Sequence, residues 1–235
     1  PRGRVLIVAP WNFPLNLCFG PLVSALAAGN TVILKPSEMT PAVSTVMAEV
    51  IAATFQPNEV ALFEGSLPTS QALLELPFDH IFFTGSPAVG KVVMAAAAKH
   101  LTSVTLELGG KSPVIIDESA NLTTAAETLM WGKLTNCGQT CVAPDHVYVH
   151  ESVKDKFVAE CKRVIGERYG QNAQAQQASP HFARVINQRH TQRIAGLLQD
   201  AVAKGARTLT GGEVDVAGCY IAPTLLDQVP RDAAI

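Results

Sequence analysis

The feature that most constrains the fold of this chain is the alternation of short apolar runs with longer helical patterns along its first half. Five strand-like runs lie at residues 4–9, 31–34, 60–63, 80–83 and 104–106. The segments between them have helical patterns, at 15–28, 41–54, 70–76 and 87–100. Strands that alternate with helices form parallel βαβ units, and strands that are apolar throughout fit a sheet covered on both faces. The sequence therefore predicts an α/β fold built on a doubly wound parallel sheet.

The second half of the chain starts with a different pattern and is expected to form a separate domain. Strand-like runs at 114–116, 147–149 and 207–209 accompany helical patterns at 122–133, 153–168 and 184–204. The polar segment 170–179 is expected to be a loop. We place the boundary near 109–112, which gives predicted domains at 1–110 and 111–235.

Composition excludes several classes of protein. Hydrophobic residues make up 48% of the 235 residues and charged residues 16%, which can fill a core and excludes bulk disorder. No uninterrupted apolar run approaches the ~20 residues that cross a bilayer, so we expect no membrane segment here. The 18 basic and 20 acidic residues nearly cancel, and no basic stripe is present, which argues against a nucleic-acid partner.

The cysteines indicate the compartment of the protein, and the chain ends indicate whether the sequence is a piece of a longer one. Five cysteines spread through the chain do not form the pattern of a disulfide framework, which favours a reducing compartment such as the cytoplasm. The chain begins with Pro1 directly before a strand and ends at Ile235 without a closing element. We expect it to be an internal piece of a longer protein, so the missing signal peptide carries no information.

Polar chemistry is expected directly after each strand, because ligands of doubly wound sheets bind beyond the carboxyl ends of the strands. Gly85, Ser86 and Gly90 follow the run at 80–83 and open a helix. Glycines let the backbone approach a ligand closely, and the free N–H groups of a helix start favour a phosphate. The alternative is a plain turn in which Ser86 caps the helix.

Lys35 and Glu38 follow the run at 31–34. A cation and a carboxylate beyond a strand end can hold the hydroxyls of a ribose, and an acidic residue there favours a free 2′-OH over a 2′-phosphate. The alternative is a solvated loop whose Ser37 or Glu38 caps the next helix.

Two further strand ends carry candidate catalytic groups, an oxyanion donor and a general base. Asn12 lies in a stiff turn between Pro10 and Pro14, where its amide can face a developing oxyanion or bind its own turn. Glu107 lies between two leucines, where desolvation is expected and would suit a general base. The alternative for Glu107 is a structural ion pair.

Among the cysteine-containing segments, 136–141 gives the clearest indication of a functional cysteine. Gly138 gives room for a tight backbone around Cys141, and a partly exposed Cys141 could act as a thiolate nucleophile. A buried thiol, a disulfide with Cys137, or a zinc site with His146 and His150 are the alternatives. Only four residues separate Cys141 from His146, which is too tight for a classical zinc finger, so we expect no metal.

In order along the chain, these motifs resemble signatures of the aldehyde dehydrogenase superfamily. The matching segments are PWNFP (10–14), KPSE (35–38), FTGS (83–86), LELGGK (106–111) and GQTC (138–141). The stretches at 76–91, 104–113, 136–149 and 186–190 are similar to the class 3 branch, including the bacterial coniferyl-aldehyde dehydrogenase-like enzymes. The resemblance covers essentially the whole chain. It implies a Rossmann-like NAD(P)-binding domain at 1–110 that lacks its N-terminal part. It also implies an α/β catalytic domain at 111–235 that lacks its C-terminal part.

The resemblance implies a catalytic role for three residues. Cys141 would attack the aldehyde, and the oxyanion would be held by Asn12 and the backbone N–H of Cys141. A hydride would then pass to the nicotinamide, and Glu107 would activate the water that hydrolyses the thioester.

The implied cofactor is NAD, with NADP possible. Lys35 and Glu38 would contact the adenosine ribose, and Ser86 the pyrophosphate. The resemblance also places a set of neighbouring residues at the cofactor: Trp11, Gly85, Gly90, Leu108 and Gly109.

The resemblance leaves several functions open. The first is NAD(P)-dependent oxidation of an aldehyde to a carboxylic acid by a homodimer or homotetramer. The others are a coenzyme A-acylating or semialdehyde dehydrogenase relative, and a non-catalytic nucleotide-binding protein. Family members carry an EIFGP-like motif beyond the position where this chain ends, so we expect residues 1–235 alone to be poorly active.

Overall fold

The computed structural model describes all residues from 1 to 235 and divides into two compact units, Pro1–Gly109 (unit 1) and Gly110–Ile235 (unit 2). The strands of unit 1 are β1 (Arg4–Val8), β2 (Thr31–Lys35), β3 (Val60–Leu62), β4 (His80–Thr84) and β5 (Ser103–Glu107). Its helices are α1 (Pro14–Ala27), α2 (Pro41–Thr54), α3 (Leu67–Leu74) and α4 (Pro87–Ala98). All five strands pair in parallel in the order β3-β2-β1-β4-β5, which confirms the predicted doubly wound sheet.

Helices cover both faces of this sheet, which is why its strands are apolar throughout. Leu6 and Ile7 are adjacent on the central strand β1, and both are fully buried. Because successive side chains of a strand point to opposite faces, they enter different cores. Ile7 packs with Leu22 of α1 and Met47 of α2, whereas Leu6 packs with residues of α3 and α4 such as Val93.

All four helices of unit 1 begin with a proline in their first turn. A proline suits this position because its fixed φ is helical and the N–H that it lacks would have no partner within the helix. Only α4 also has a side-chain cap, from Ser86.

Unit 2 is built from smaller pieces of sheet. Its strands are β6 (Ser112–Ile116), β7 (Pro144–Val149), β8 (Arg207–Thr210), β9 (Val214–Asp215), β10 (Tyr220–Ile221) and β11 (Leu225–Asp227). Its α-helices are α5 (Leu122–Leu134), α6 (Lys154–Tyr169), α7 (Ala173–Ala178) and α8 (Gln188–Ala203). β6 and β7 pair in parallel, whereas β8 with β11 and β9 with β10 pair antiparallel. The core lies largely between α5 and α6 and contains Met130, Phe157 and Ile165.

The structure differs from the sequence prediction in three places of unit 2. The expected loop 170–179 contains the helix α7, which Asn172 caps by accepting a hydrogen bond from Ala175 N at 2.9 Å. The helix predicted at 184–204 begins only at Gln188, because the side chain of Asn187 caps it and accepts from His190 N at 2.9 Å. The strands β9, β10 and β11 were not predicted, since they have only two or three residues.

None of the helices combines the length and the apolar character that a membrane-spanning segment requires.

Candidate active site

The carboxyl edge of the sheet in unit 1 carries four of the motifs singled out from the sequence. Val8 at the end of β1 pairs with Lys35 on one side and with Phe83 on the other, and Thr84 pairs with Glu107. The ends of β1, β2, β4 and β5 are therefore level. The chain runs from β1 outward through β2 and β3, and then returns to β4 on the other side of β1. This is the switch point at which doubly wound sheets bind their ligands.

Lys35 is a buried cation at this edge. Its side chain is 2% exposed, its Nζ donates a hydrogen bond to Pro36 O at 2.6 Å, and it lies 3.6 Å from a Glu38 carboxylate oxygen. Desolvation lowers the pKa of Lys35, and the Glu38 charge opposes that shift in part. The solvated-loop interpretation therefore fails for Lys35, although Glu38 is exposed. No side chain caps α2, and Ser37 Oγ accepts from Met39 N at 3.2 Å instead. An ammonium group with three donors suits the hydroxyls of a ribose.

The turn between β4 and α4 is shaped by two glycines. A Cβ atom on Gly85 would lie 2.5 Å from Cζ of Phe83, and one on Gly90 would lie 3.0 Å from Cδ2 of Leu108. A side chain at Gly85 would require the Phe83 ring to shift, and one at Gly90 would press on Leu108. Ser86 Oγ accepts from Val89 N at 3.4 Å, so Ser86 caps the helix. This capping hydrogen bond is long, and the start of the helix lies at the edge of the sheet. The capping role of Ser86 therefore does not exclude a phosphate at the same place.

The turn after β1 contains Trp11 and Asn12, both half-buried. Ala9 N donates to Lys35 O at 3.0 Å and extends the ladder by one residue before the turn. Phe13 then adopts a left-handed conformation with φ of 47° and precedes Pro14, the first residue of α1. The turn thus lies beside the Lys35 strand end.

Glu107, Leu108 and Gly109 follow the last strand of the sheet. Glu107 is exposed, so the expected desolvation between two leucines was wrong. The reason is that the preceding Leu106 and the following Leu108 turn into the core on the α4 side, while Glu107 faces outward. Gly109 has open space around it, since a Cβ there would meet nothing within 4 Å.

In unit 2, Cys141 follows a segment of left-handed backbone. Asn136, Cys137 and Gly138 have φ values of 52°, 57° and 76°. Such a conformation costs roughly 1–2 kcal/mol for each residue other than glycine. The segment ends in a tight turn in which Thr140 N donates to Gly138 O at 2.9 Å and Ala143 N to Thr140 O at 3.1 Å. Cys141 lies in that turn and is half-buried.

The first residues of unit 2 lie directly against this turn. A Cβ atom on Gly110 would overlap the carbonyl oxygen of Cys141. Lys111 Nζ lies 2.6 Å from a carboxylate oxygen of Asp145, and Lys133 Nζ lies 3.8 Å from the other. Close backbone packing and an ion pair thus hold residues 110 and 111 beside the segment that contains Cys141.

Gln139 was missed as a functional candidate by sequence reasoning. Its side-chain amide nitrogen donates to Asn136 O at 2.9 Å and to Arg184 O at 3.0 Å. Its amide oxygen accepts from Ile186 N at 2.9 Å. The signal in the sequence was its position two residues before Cys141, but the partners 45 and 47 residues away could not be inferred.

The alternatives for Cys141 do not fit this geometry. Cys141 is not a buried core thiol, and all five cysteines are free. No group of three or more metal-ligating side chains lies close enough to hold a metal ion. Burial raises the pKa of Cys137 to about 11, that of Cys161 to about 11 and that of Cys18 to about 12, so these thiols stay protonated at neutral pH.

Comparison with known proteins places these features in a family context. The profile of the aldehyde dehydrogenase family matches residues 1–235. A 4,4′-diaponeurosporen-aldehyde dehydrogenase from Staphylococcus aureus is 50% identical over the whole chain, and a mouse aldehyde dehydrogenase family 3 member A2 is 44% identical over the whole chain. The chain spans 50% and 47% of these two relatives, about half of their length.

Solved structures show the same similarity. The substrate-bound state of Staphylococcus aureus AldH superposes on all of this chain with a TM-score of 0.90 and 49% identity, and the chain covers 50% of it. A Mycobacterium tuberculosis aldehyde dehydrogenase complexed with NAD+ superposes with a TM-score of 0.89 and 32% identity, and the chain covers 49% of it.

Proposed function

The chain belongs to the aldehyde dehydrogenase family, and we propose that the whole protein oxidises an aldehyde to a carboxylic acid with NAD, or with NADP, through a covalent intermediate on Cys141. Two sets of groups described above, one in each unit, carry this proposal. Polar groups of four strand ends meet at one sheet edge in unit 1, and a half-buried cysteine is held in a constrained turn in unit 2.

The residues at the sheet edge fit a dinucleotide. Lys35 and Glu38 bind the hydroxyls of the adenosine ribose, and the start of α4 at Ser86 receives the pyrophosphate. The packing of Gly85 and Gly90 leaves this helix start close to the sheet. Trp11, Leu108 and Gly109 complete the surface that faces the cofactor. When bound, the nicotinamide supplies the hydride acceptor of the reaction.

The chain's own residues carry the acyl chemistry. The Cys141 thiolate attacks the aldehyde carbon and forms a thiohemiacetal. The amide of Asn12 and the backbone N–H of Cys141 donate hydrogen bonds to the oxyanion that develops in this step. After the carbon has been oxidised to a thioester, Glu107 accepts a proton from the attacking water, and Cys141 leaves as the thiolate.

The domain assignment follows from these roles. Residues 1–110 form the NAD(P)-binding domain and residues 111–235 belong to the catalytic domain. We assign the protein to the cytoplasm because all five cysteines are free, as is usual in a reducing compartment. A homodimer or homotetramer is proposed, and one relative, from rat, is named a dimeric, NADP-preferring aldehyde dehydrogenase.

The proposal is tested with the full-length protein, aromatic and aliphatic aldehydes and both cofactors. We expect acid formation together with NADH or NADPH without an added thiol. The variant Cys141→Ser is expected to lose turnover by about 10⁴-fold or more. Cys219→Ser is the matched control, because Cys219 is also half-buried and its side chain has no assigned role. Wild-type turnover by Cys141→Ser would contradict the mechanism.

A further inference from the structure

The side chain of Gln139 joins the left-handed segment before Cys141 to a distant part of the same unit. Its amide nitrogen Nε2 donates a hydrogen bond to Asn136 O, at the start of that segment, at 2.9 Å. Nε2 also donates to Arg184 O at 3.0 Å, and the amide oxygen Oε1 accepts from Ile186 N at 2.9 Å. The backbone supports this arrangement, since Gln139 N donates to Asn136 O at 3.1 Å and Asn136 Nδ2 donates to Gln139 O at 3.3 Å.

The segment 184–186 is a firm anchor for Gln139. Val185 is 3% exposed, and its N–H donates to Cys219 O at 2.9 Å. The guanidinium of Arg184 donates to Phe182 O at 3.0 Å and also to Gln177 O, and it lies 5.0 Å above the ring of Tyr220. The anchor leads directly into the cap of α8 at Asn187. Gln139 is therefore hydrogen-bonded to a segment that is itself held by packing and hydrogen bonds.

The segment that Gln139 holds has a strained backbone. Two of its residues, Asn136 and Cys137, have positive φ without being glycine. If the contacts of Gln139 are removed, these residues can return to negative φ, and the turn that contains Cys141 shifts with them. A displacement of about 1 Å at a reacting group can lower a rate by about 100-fold.

On the basis of the proposed function, we infer that Gln139 is a positioning residue, whose amide contacts with Asn136, Arg184 and Ile186 set the place of the Cys141 sulfur. Gln139 itself does not touch the reacting atoms in this role. Its removal should affect the reactivity of Cys141 and leave cofactor binding in unit 1 intact.

The test uses the full-length protein with the variant Gln139→Met, which keeps the size of the side chain and removes its hydrogen bonds. We expect iodoacetamide to alkylate Cys141 more slowly by about tenfold or more. Mass spectrometry of the labelled peptide measures this rate. The kcat for an aldehyde should fall by about 100-fold, while the dissociation constant of NADH, measured by fluorescence, should change less than twofold. Gln188→Met is the matched control, since this exposed glutamine also donates to a backbone carbonyl, Ala217 O, at 3.4 Å.

Several outcomes would overturn the inference. Wild-type alkylation and kcat in a folded Gln139→Met variant would show that the contacts do not position Cys141. Equal losses of alkylation and of NADH binding would show a general structural role instead.

If Gln139→Met does not fold, the same measurements are made on Gln139→Glu, because glutamate keeps the acceptor for Ile186 N. Failure of both variants to fold, with Gln188→Met folded, would also assign Gln139 to stability alone. The alkylation rate can be measured without turnover, so the inference can fail while the proposed function stands. An inactive wild-type protein would refute only the proposed function.

Discussion

The backbone of Gly110 lies so close to Cys141 that a Cβ atom on Gly110 would overlap the carbonyl oxygen of Cys141. Both residues belong to unit 2. The carbonyl oxygen is part of the rigid backbone, so it cannot move aside as the end of a flexible side chain could. The ion pair between Lys111 and Asp145 holds the same two segments together at 2.6 Å.

We therefore predict that Gly110→Ala displaces the turn of Cys141. The added methyl group should lower kcat and the rate of iodoacetamide alkylation of Cys141, each by about tenfold or more. The control is Gly196→Ala in the middle of α8, where a Cβ meets nothing within 4 Å. That control should keep activity and gain up to about 1 kcal/mol of stability, because alanine is the better helix former. Equal effects of the two substitutions would contradict the prediction.

Glu107→Gln is expected to separate the two halves of the reaction. Removal of the base should leave the formation of the thioester and the first release of NADH intact, and should slow hydrolysis by about 10²–10⁴-fold. Rapid-mixing kinetics should then show a burst of NADH equal to the enzyme concentration, followed by slow turnover. The control Glu49→Gln changes an exposed carboxylate on α2 and should behave as the wild type. A fast steady state with Glu107→Gln in the absence of any added thiol would contradict the role of Glu107 as the base that activates water.

Lys35→Met should weaken the binding of NAD(H) with little effect on the chemical step. Methionine occupies a similar volume in the buried site, so the sheet edge should stay intact, but the charged donor is lost. The loss of one charge-assisted hydrogen bond corresponds to about a tenfold or larger increase in the dissociation constant. Fluorescence titration with NADH measures this constant. Lys99→Met, which removes an exposed ion pair with Glu75 at the surface, is the control and should bind NADH with wild-type affinity.

Asp227 is expected to make the stability of the protein depend on acid pH. Hydrogen bonding to Lys154, at 2.9 Å, lowers the pKa of Asp227 below 3.8, and Arg207 lies 3.2 Å away. The carboxylate therefore stabilises the fold above the unfolded pKa, and this contribution is lost as the pH falls through the lower, folded pKa. Asp227→Asn should cost about 1–3 kcal/mol near pH 7, and the difference from the wild type should shrink below pH 4.

The measurement for Asp227 is urea unfolding at a series of pH values. Asp232→Asn, which changes an exposed carboxylate of the same unit, is the control and should stay within about 0.5 kcal/mol of the wild type. A stability difference for Asp227→Asn that stays constant from pH 7 to pH 2 would rule out this role of the carboxylate.

Local patterns predicted most elements of the fold. The sequence predicted α2 at 41–54, and the structure has it at Pro41–Thr54, because a proline start and apolar spacing are local signals. The same reasoning extended α8 too far toward its N-terminus, since the start depends on the side-chain cap of Asn187. The strands β9, β10 and β11 are too short to leave a periodic pattern, and each is defined by its partner strand.

Candidate residues at strand ends could also be predicted, because the end of a strand is visible in the sequence and the ligand edge follows from the fold class. The burial or exposure of these residues could not be predicted. The sequence left open whether Lys35 lies in a solvated loop, and the structure buries it, whereas Glu107 was expected to be desolvated and is exposed. Both depend on how the following residues turn, which no local pattern records.

Patterns along the chain were sufficient to predict the parallel sheet, the order of its helices and the residue types that lie where its strands end. These follow from periodicity and turn residues, which act over a few positions along the chain. The folded structure was needed to show that Gln139 binds backbone groups at 184 and 186, and that Gly110 lies against Cys141. Contacts between residues about 30 to 50 positions apart depend on how whole elements pack, and that packing is a property of the folded chain.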